Sequence, residues 1–388
     1  MTFKKIRFTL VGLVLMATLT ACGSGEKKKE IVDTKYDKFT KVVILTDSEK
    51  LQPNEYSSAE ALVKNNEYQK KHDKDEKLDI SHSILPDDMD SQAMNKIFDK
   101  IKNDKDINTL VVSSENSGII HYIKSLDRAR KDIITISAFS SKDVKDLAEN
   151  FDIALDYEKK TDAKEIVDIA KTLGAERFIS IVDEESLGHD HKQELLAELR
   201  DKSSKIDTPY EEIKIPSGMD RISKKAYVSN EISKYISKYG NDINFYPTSR
   251  DIDEVLLNRL VSDKFIIAEL SQRNSTKFIM DIYGLKQIGR MSENYNLLNG
   301  QISSFFNTNY GFGGRVAGLG AEPRSHIIRY ATQLGVTLNS KSAKPDKAYN
   351  TYFLEQVSTI RTQISAGFKT PYKQYKNYKV MSVDQIVY

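Results

Sequence analysis

From Phe39 onward, short apolar runs alternate with longer segments in which apolar residues recur every three or four positions. The runs are Val42 to Leu45, Leu78 to Leu85, Leu110 to Val112, Ile133 to Ile136 and Phe151 to Leu155. Between them, Met94, Ile97 and Ile101 share one helical face, and Ile119, Ile123 and Leu126 share another. Ser57-x-x-Glu60 is a capping-box pattern and predicts a helix from Ser57 to about His72. The rhythm restarts after Leu155. Ala163, Ile166, Val167, Ala170 and Leu173 form a helical stripe that stops at Gly174. Strands predicted over 178–182, 213–215, 243–246 and 265–268 then alternate with helices over 193–203, 220–239 and 251–261.

Continuous apolar strands separated by helices are the pattern of parallel sheets covered on both faces. The prediction is an α/β fold with two doubly wound parallel-sheet domains, over 39–155 and 156–275. The remainder, 276–388, is less regular. It holds a Gly-rich stretch at 311–320, helices near 325–335 and 349–364, and a strand-like run from Tyr378 to Val387. It reads as crossing segments that complete both domains. The chain is expected to cross between them near 156–160, 283–286 and 311–320.

The N-terminus follows another pattern. Lys4, Lys5 and Arg7 precede an apolar run from Phe8 to Ala21, shorter than the ~20 residues of a membrane span. Residues 1–21 therefore read as a signal peptide. The only cysteine, Cys22, comes directly after it. Leu19-Thr20-Ala21-Cys22 resembles the bacterial lipobox. The resemblance implies cleavage before Cys22, acylation of that residue, palmitate included, and a lipid anchor on the extracytoplasmic face of the cell membrane. Residues 22–38, with Gly23-Ser24-Gly25 and Glu26-Lys27-Lys28-Lys29-Glu30, read as a flexible charged tether.

Charge and cysteine content narrow the function. Taking the three leader cations from the 58 Lys and Arg leaves 55 against 56 acids. That balance lacks the basic excess of a nucleic-acid partner. With Cys22 acylated, no cysteine remains for a disulfide or a thiolate site. No cofactor and no metal is expected. Asp183, Glu184, His189 and His191 could ligate a metal, but a solvated loop entering a helix explains them as well. Gly311-Phe312-Gly313-Gly314-Arg315 matches neither G-x-G-x-x-G nor the Walker pattern and reads as a crossing segment. Ser113, Ser137 and Ser140 lack a G-x-S-x-G context, so no catalytic residue is assigned.

In a doubly wound sheet, ligands bind outside the carboxyl ends of the strands. The loops there carry Asp47, Ser114, Ser137, Phe139, Asp183, Thr248, Arg250 and Asp251, which are the candidate ligand-binding residues. Several also fit as helix caps. Arg250 does not, because a cation near a helix N-terminus opposes the dipole. It is expected to grip an anionic group, with Asp251, Ser114 and Asp47 around it. Tyr157, Tyr246 and Tyr310 lie near strand ends or crossings, where rings can stack on a ligand.

The lipobox, the tether and two successive doubly wound units together resemble the type I periplasmic solute-binding proteins of ABC importers. Gly313-Gly314-Arg315 through Pro323 and the closing Tyr378-to-Tyr388 strand resemble a poorly characterised group of anaerobe lipoproteins. The resemblance implies two Rossmann-like domains joined by a hinge. It also implies a small polar ligand between them, an ABC permease as partner, and a monomeric body. The alternatives are a ligand sensor or surface interaction protein on the same fold, or an extracytoplasmic hydrolase. A sugar-repressor type of regulator would need a helix-turn-helix where the leader stands. Exchanging Cys22 for Ser should release the protein from the membrane fraction and abolish lipid labelling. A Cys22→Ser variant that stays membrane-bound and labelled would refute the anchor.

Overall fold

The structure is a computed structural model describing residues 36–138, 143–159, 162–188, 190–286 and 294–388. Cys22, the leader, Phe139 and His189 lie outside the described residues.

Two parallel sheets organise the chain. The first takes β1 (Thr40–Thr46), β2 (Leu78–Ile84), β3 (Ile107–Ser113), β4 (Ile134–Ala138) and β5 (Ile153–Tyr157), in the order β2-β1-β3-β4-β5. Its central strands are apolar over Val42–Leu45 and Leu110–Val112 because helices cover both faces. Along β1, Val42 and Ile44 enter one core cluster while Val43 and Leu45 enter the other. The second sheet has β6 (Arg177–Asp183), β7 (Tyr210–Ile215) and β8 (Ile243–Pro247), ordered β7-β6-β8. The predicted strand at 265–268 is not a regular strand, yet it occupies the fourth position. Ile266 bridges Asn244, and Ile267 bridges Val316, next to β9 (Ala317–Leu319).

The first helix, α1 (Pro53–His72), begins before the predicted capping box. Pro53 occupies its first turn, where a fixed φ suits the helix and no N–H is missed. Ser57 and Glu60 are therefore inside it, and Glu60 instead meets His82 Nδ1 at 2.8 Å. The other early helices are α2 (Ser91–Asn103), α3 (Ile119–Ala129) and α4 (Val144–Asn150). They back the first sheet with Met94, Ile123 and Leu147. In the second half, α5 (Ala163–Thr172) and α6 (Asp190–Lys205) cover one face. The other face is covered by α7 (Arg221–Tyr239), α8 (Arg250–Asp263), α9 (Ser275–Ile282) and α10 (Tyr295–Phe305). Gly240 ends α7 at φ 82°, a conformation that glycine adopts without strain.

The last seventy residues return to the first sheet and then leave it. Helix α11 (Pro323–Ser340) lies across β1, β3, β4 and β5, and α12 (Thr351–Val357) packs beside it. β10 (Ala366–Lys369) and β11 (Tyr378–Val383) extend the first sheet, β11 parallel to β5 and β10 antiparallel to β11. The strand-like closing run breaks at Asp384. β12 (Gln385–Val387) pairs antiparallel with β9, beside the second sheet. The chain thus passes between the sheets three times: from β5 to α5, from β9 to α11 and from β11 to β12. The expected crossing near 283–286 is not one. Tyr283 closes α9 and donates its hydroxyl to Leu257 O, so this stretch stays with the second sheet.

At Gly335, α11 packs close against the first sheet. A Cβ there would stand 2.4 Å from Thr109 Cγ2 and 3.3 Å from Ile136 Cδ1. Gly335→Val should cost about 1–3 kcal/mol by overpacking, visible as a lower urea midpoint at unchanged m-value. An unchanged midpoint would mean that the helix is not seated this tightly.

Candidate functional site

Each sheet has a switch point where its strand order reverses, between β1 and β3 and between β6 and β8. The candidate residues meet there in pairs. Ser114 Oγ donates to Asp47 Oδ1 at 2.6 Å, and the Glu115 N–H donates to Oδ2 at 2.9 Å. The Asp183 N–H donates to Thr248 Oγ1 at 2.9 Å, and the Thr248 hydroxyl donates to Ile181 O at 3.1 Å. Lys224 Nζ lies 3.2 Å from the Asp183 carboxylate. These polar groups tie adjacent strand ends to each other.

The remaining candidates are placed apart from these pairs. Ser137 is buried near the end of β4. Arg250 sits over the Phe278 ring, 5.4 Å from its centroid, and Asp251 accepts from Arg221 Nε at 2.7 Å. The expected grouping of Arg250 and Asp251 with Asp47 and Ser114 is not formed by any of these contacts. Tyr310 belongs to an aromatic cluster with Phe305 and Phe312. Among the described residues, no group of three His, Cys, Asp or Glu side chains is placed to hold a metal ion.

The open space lies beside the second sheet's switch point and the end of β5. A cleft of about 410 Å³ runs between Tyr157, at the end of β5, and Tyr246, Pro247 and Thr248, at the end of β8. Its volume is in the range of small-molecule sites, ~300–1,000 Å³. The carboxyl ends of strands from both sheets therefore share one cleft. Leu195, Leu196 and Leu270 give it an apolar wall. Lys192, Glu269, Ser271 and Arg273 give it a polar one. Lys192 Nζ donates to Ser186 O and Thr248 O, both at 3.1 Å. Arg273 Nη2 donates to Glu158 O at 3.1 Å, on the first crossing. Glu269 accepts from Gln385 Nε2 at 2.6 Å, on the third. A second opening of about 430 Å³ shares Arg273 and is lined by residues of all three crossings, among them Asp162, Pro323 and Gln385.

A family model for proteins described as "Protein of unknown function (DUF3798)" matches residues 40–314. The chain belongs to this family. A crystal structure from Clostridium difficile 630, described provisionally as a transcriptional regulator, is 25% identical with a TM-score of 0.72. The match covers 91% of this chain and 100% of that one. A sugar ABC transporter protein from Actinomyces odontolyticus ATCC 17982 is 8% identical at a TM-score of 0.44, covering 89% and 95% of the two chains. A branched-chain amino acid ABC transporter ligand-binding protein from Burkholderia xenovorans LB400 is 11% identical at 0.39, covering 90% and 89%. At those scores the last two add nothing to what the topology already states. No curated protein sequence matches the chain.

Sequence reasoning named Thr248, Tyr157 and Tyr246 but missed Lys192, Glu269, Ser271 and Arg273. The signal for three of these was present. Glu269 to Arg273 follows the predicted strand at 265–268, so the carboxyl-end rule applied to it as well.

Behind Ser271 lies Asp253, fully buried in α8, accepting from the Ser271 N–H at 2.9 Å and from its hydroxyl. Burial pushes this carboxyl up to about 7, against the lowering effect of the Ser271 hydrogen bonds. Because the folded value is the higher one, the stabilisation is full below about pH 4 and is lost as the pH rises to about 7. A shift of that size corresponds to roughly 4 kcal/mol. Wild type should therefore lose stability relative to Asp253→Asn over that range, measured by urea midpoints. A constant difference would mean that Asp253 is ionised in the folded protein throughout.

Proposed function

We propose that this chain is an extracytoplasmic solute-binding lipoprotein. It is tethered through Cys22, captures a small polar molecule in the cleft between the two sheets, and delivers it to an ABC permease. One observation carries the reading: β5 of one sheet and β8 of the other end on the same cleft, bridged by three crossings. Segments of that kind permit hinge closure over a bound molecule. The domain limits proposed for this motion are 39–155 and 156–275, with 276–388 shared between them. Among the described residues no helix is long and apolar enough to cross a membrane, so the proposed attachment is the lipid on Cys22. No covalent step is assigned.

The description of the C. difficile relative as a regulator is the second reading. It calls for the same cleft, with the ligand as a signal instead of a cargo. The apolar leader ending at Cys22 favours the exported receptor.

A thermal-shift screen of metabolites on the full chain tests the proposal. A ligand present at a hundred times its Kd stabilises by about 2.7 kcal/mol. The hit should shrink the radius of gyration in small-angle scattering. Ser271→Trp, which fills the cleft, should abolish both effects. A compound that stabilises wild type and Ser271→Trp equally, or leaves the radius unchanged, counts against a closing receptor.

A further inference from the structure

The polar wall of the cleft carries three cations, Lys159, Lys192 and Arg273, and three carboxylates, Glu194, Glu198 and Glu269. Arg273 has five N–H donors, and its one hydrogen bond among the described residues goes to Glu158 O. Lys192 has three donors and spends two on carbonyls, Ser186 O and Thr248 O. Neither cation has a carboxylate partner among the described residues. Both line the same cleft. Three other partly buried cations are paired, Arg259 with Asp263, Lys224 with Asp183 and Arg324 with Glu55. Buried Lys379, like the two in the cleft, is not: among the described residues it bonds only a carbonyl and a hydroxyl.

Tyr246 is the independent observation. It is 8% exposed, lines the cleft, and its hydroxyl makes no hydrogen bond among the described residues. A hydroxyl on the cleft wall with no protein partner is free to donate to a molecule bound there. An aromatic hydroxyl on the same cleft as two cations with unused N–H donors makes a donor set, and its complement is an acceptor that carries negative charge. The planar fork of Arg273 suits two oxygens of one group, as in a carboxylate or a phosphate.

We infer that the bound molecule carries an oxyanion, seated on Arg273 and Lys192 with the Tyr246 hydroxyl donating to it. The body of the molecule lies against Leu195, Leu196 and Leu270. This inference rests on the solute-binding reading and adds the chemical class of the cargo. It also moves the anion grip from Arg250, which is exposed and stacked on Phe278, to a side chain that faces the cleft.

The test is a charge-matched panel on the full chain: succinate, L-alanine and L-glutamate for carboxylates, inorganic phosphate and glucose 6-phosphate for phosphates, and ribose and succinamide as neutral probes. Thermal shift finds binders, and calorimetry measures them. At least one oxyanion should bind, and Arg273→Gln should weaken it roughly ten- to a hundredfold, as expected for a lost charged hydrogen bond. Lys192→Gln should act in the same direction. Tyr246→Phe and Arg273→Lys, milder in their demands on folding, should give smaller losses at near wild-type melting temperature. Whichever arm of the panel responds tells carboxylate from phosphate. Binding of ribose or succinamide with every oxyanion silent overturns this inference and leaves the receptor reading standing. Oxyanion binding that is unchanged in Arg273→Gln and Lys192→Gln also overturns it. A panel in which no member, charged or neutral, shifts the wild type overturns both readings.

Discussion

Asp384 holds the two halves of this protein in one register. Its N–H donates to Ser365 O at 3.0 Å, at the start of β10, and its carbonyl accepts the Gly320 N–H at 2.9 Å, on the crossing into α11. Its carboxylate takes the Ser365 hydroxyl. Two of the three crossings are therefore bonded to each other at one residue. Gly320 is glycine for a related reason: a Cβ there would stand 3.1 Å from Asp384 O and 3.2 Å from Ile386 Cγ2. The first crossing is bound into the same region by Arg273, which reaches Glu158 O.

The cleft inherits its geometry from these bonds. Arg273 and Glu269 line it, and each is also hydrogen-bonded to a crossing segment, Glu158 in one case and Gln385 in the other. A change in the angle between the sheets therefore displaces polar side chains of the cleft. The switch points behave differently. Asp47 with Ser114, and Asp183 with Thr248, satisfy one another within a single sheet, and of the four only Thr248 lines the cleft.

Much of the fold was legible because each strand of a covered parallel sheet is a continuous apolar run, and each helix between strands has one apolar stripe. The start of α1 was misread because a capping-box match outweighed Pro53, the stronger local signal. The crossing expected near 283–286 was misplaced for a different reason, since the third crossing falls at Asp384. The run from Tyr378 to Val387 is uniform in sequence, and only the partners β5 and β9 reveal that it belongs to two sheets. The site was legible in part. The carboxyl-end rule found the strand ends but not which of their side chains are already used, since that depends on distances such as Ser114 to Asp47. Arg273 was passed over although it follows the strand predicted at 265–268, where the same rule applied.

The break at Asp384 has a mechanical consequence. On one side of it four residues, Tyr378 to Met381, are fixed in a parallel ladder with β5, and on the other the three residues of β12 are fixed in an antiparallel ladder with β9. Neither ladder can slide, because a slip of one position would turn every side chain to the wrong face. What remains at that crossing is rotation about the φ and ψ of a single residue. The two sheets are joined there through a single residue, and the Gly320 hydrogen bond limits how far that peptide can twist.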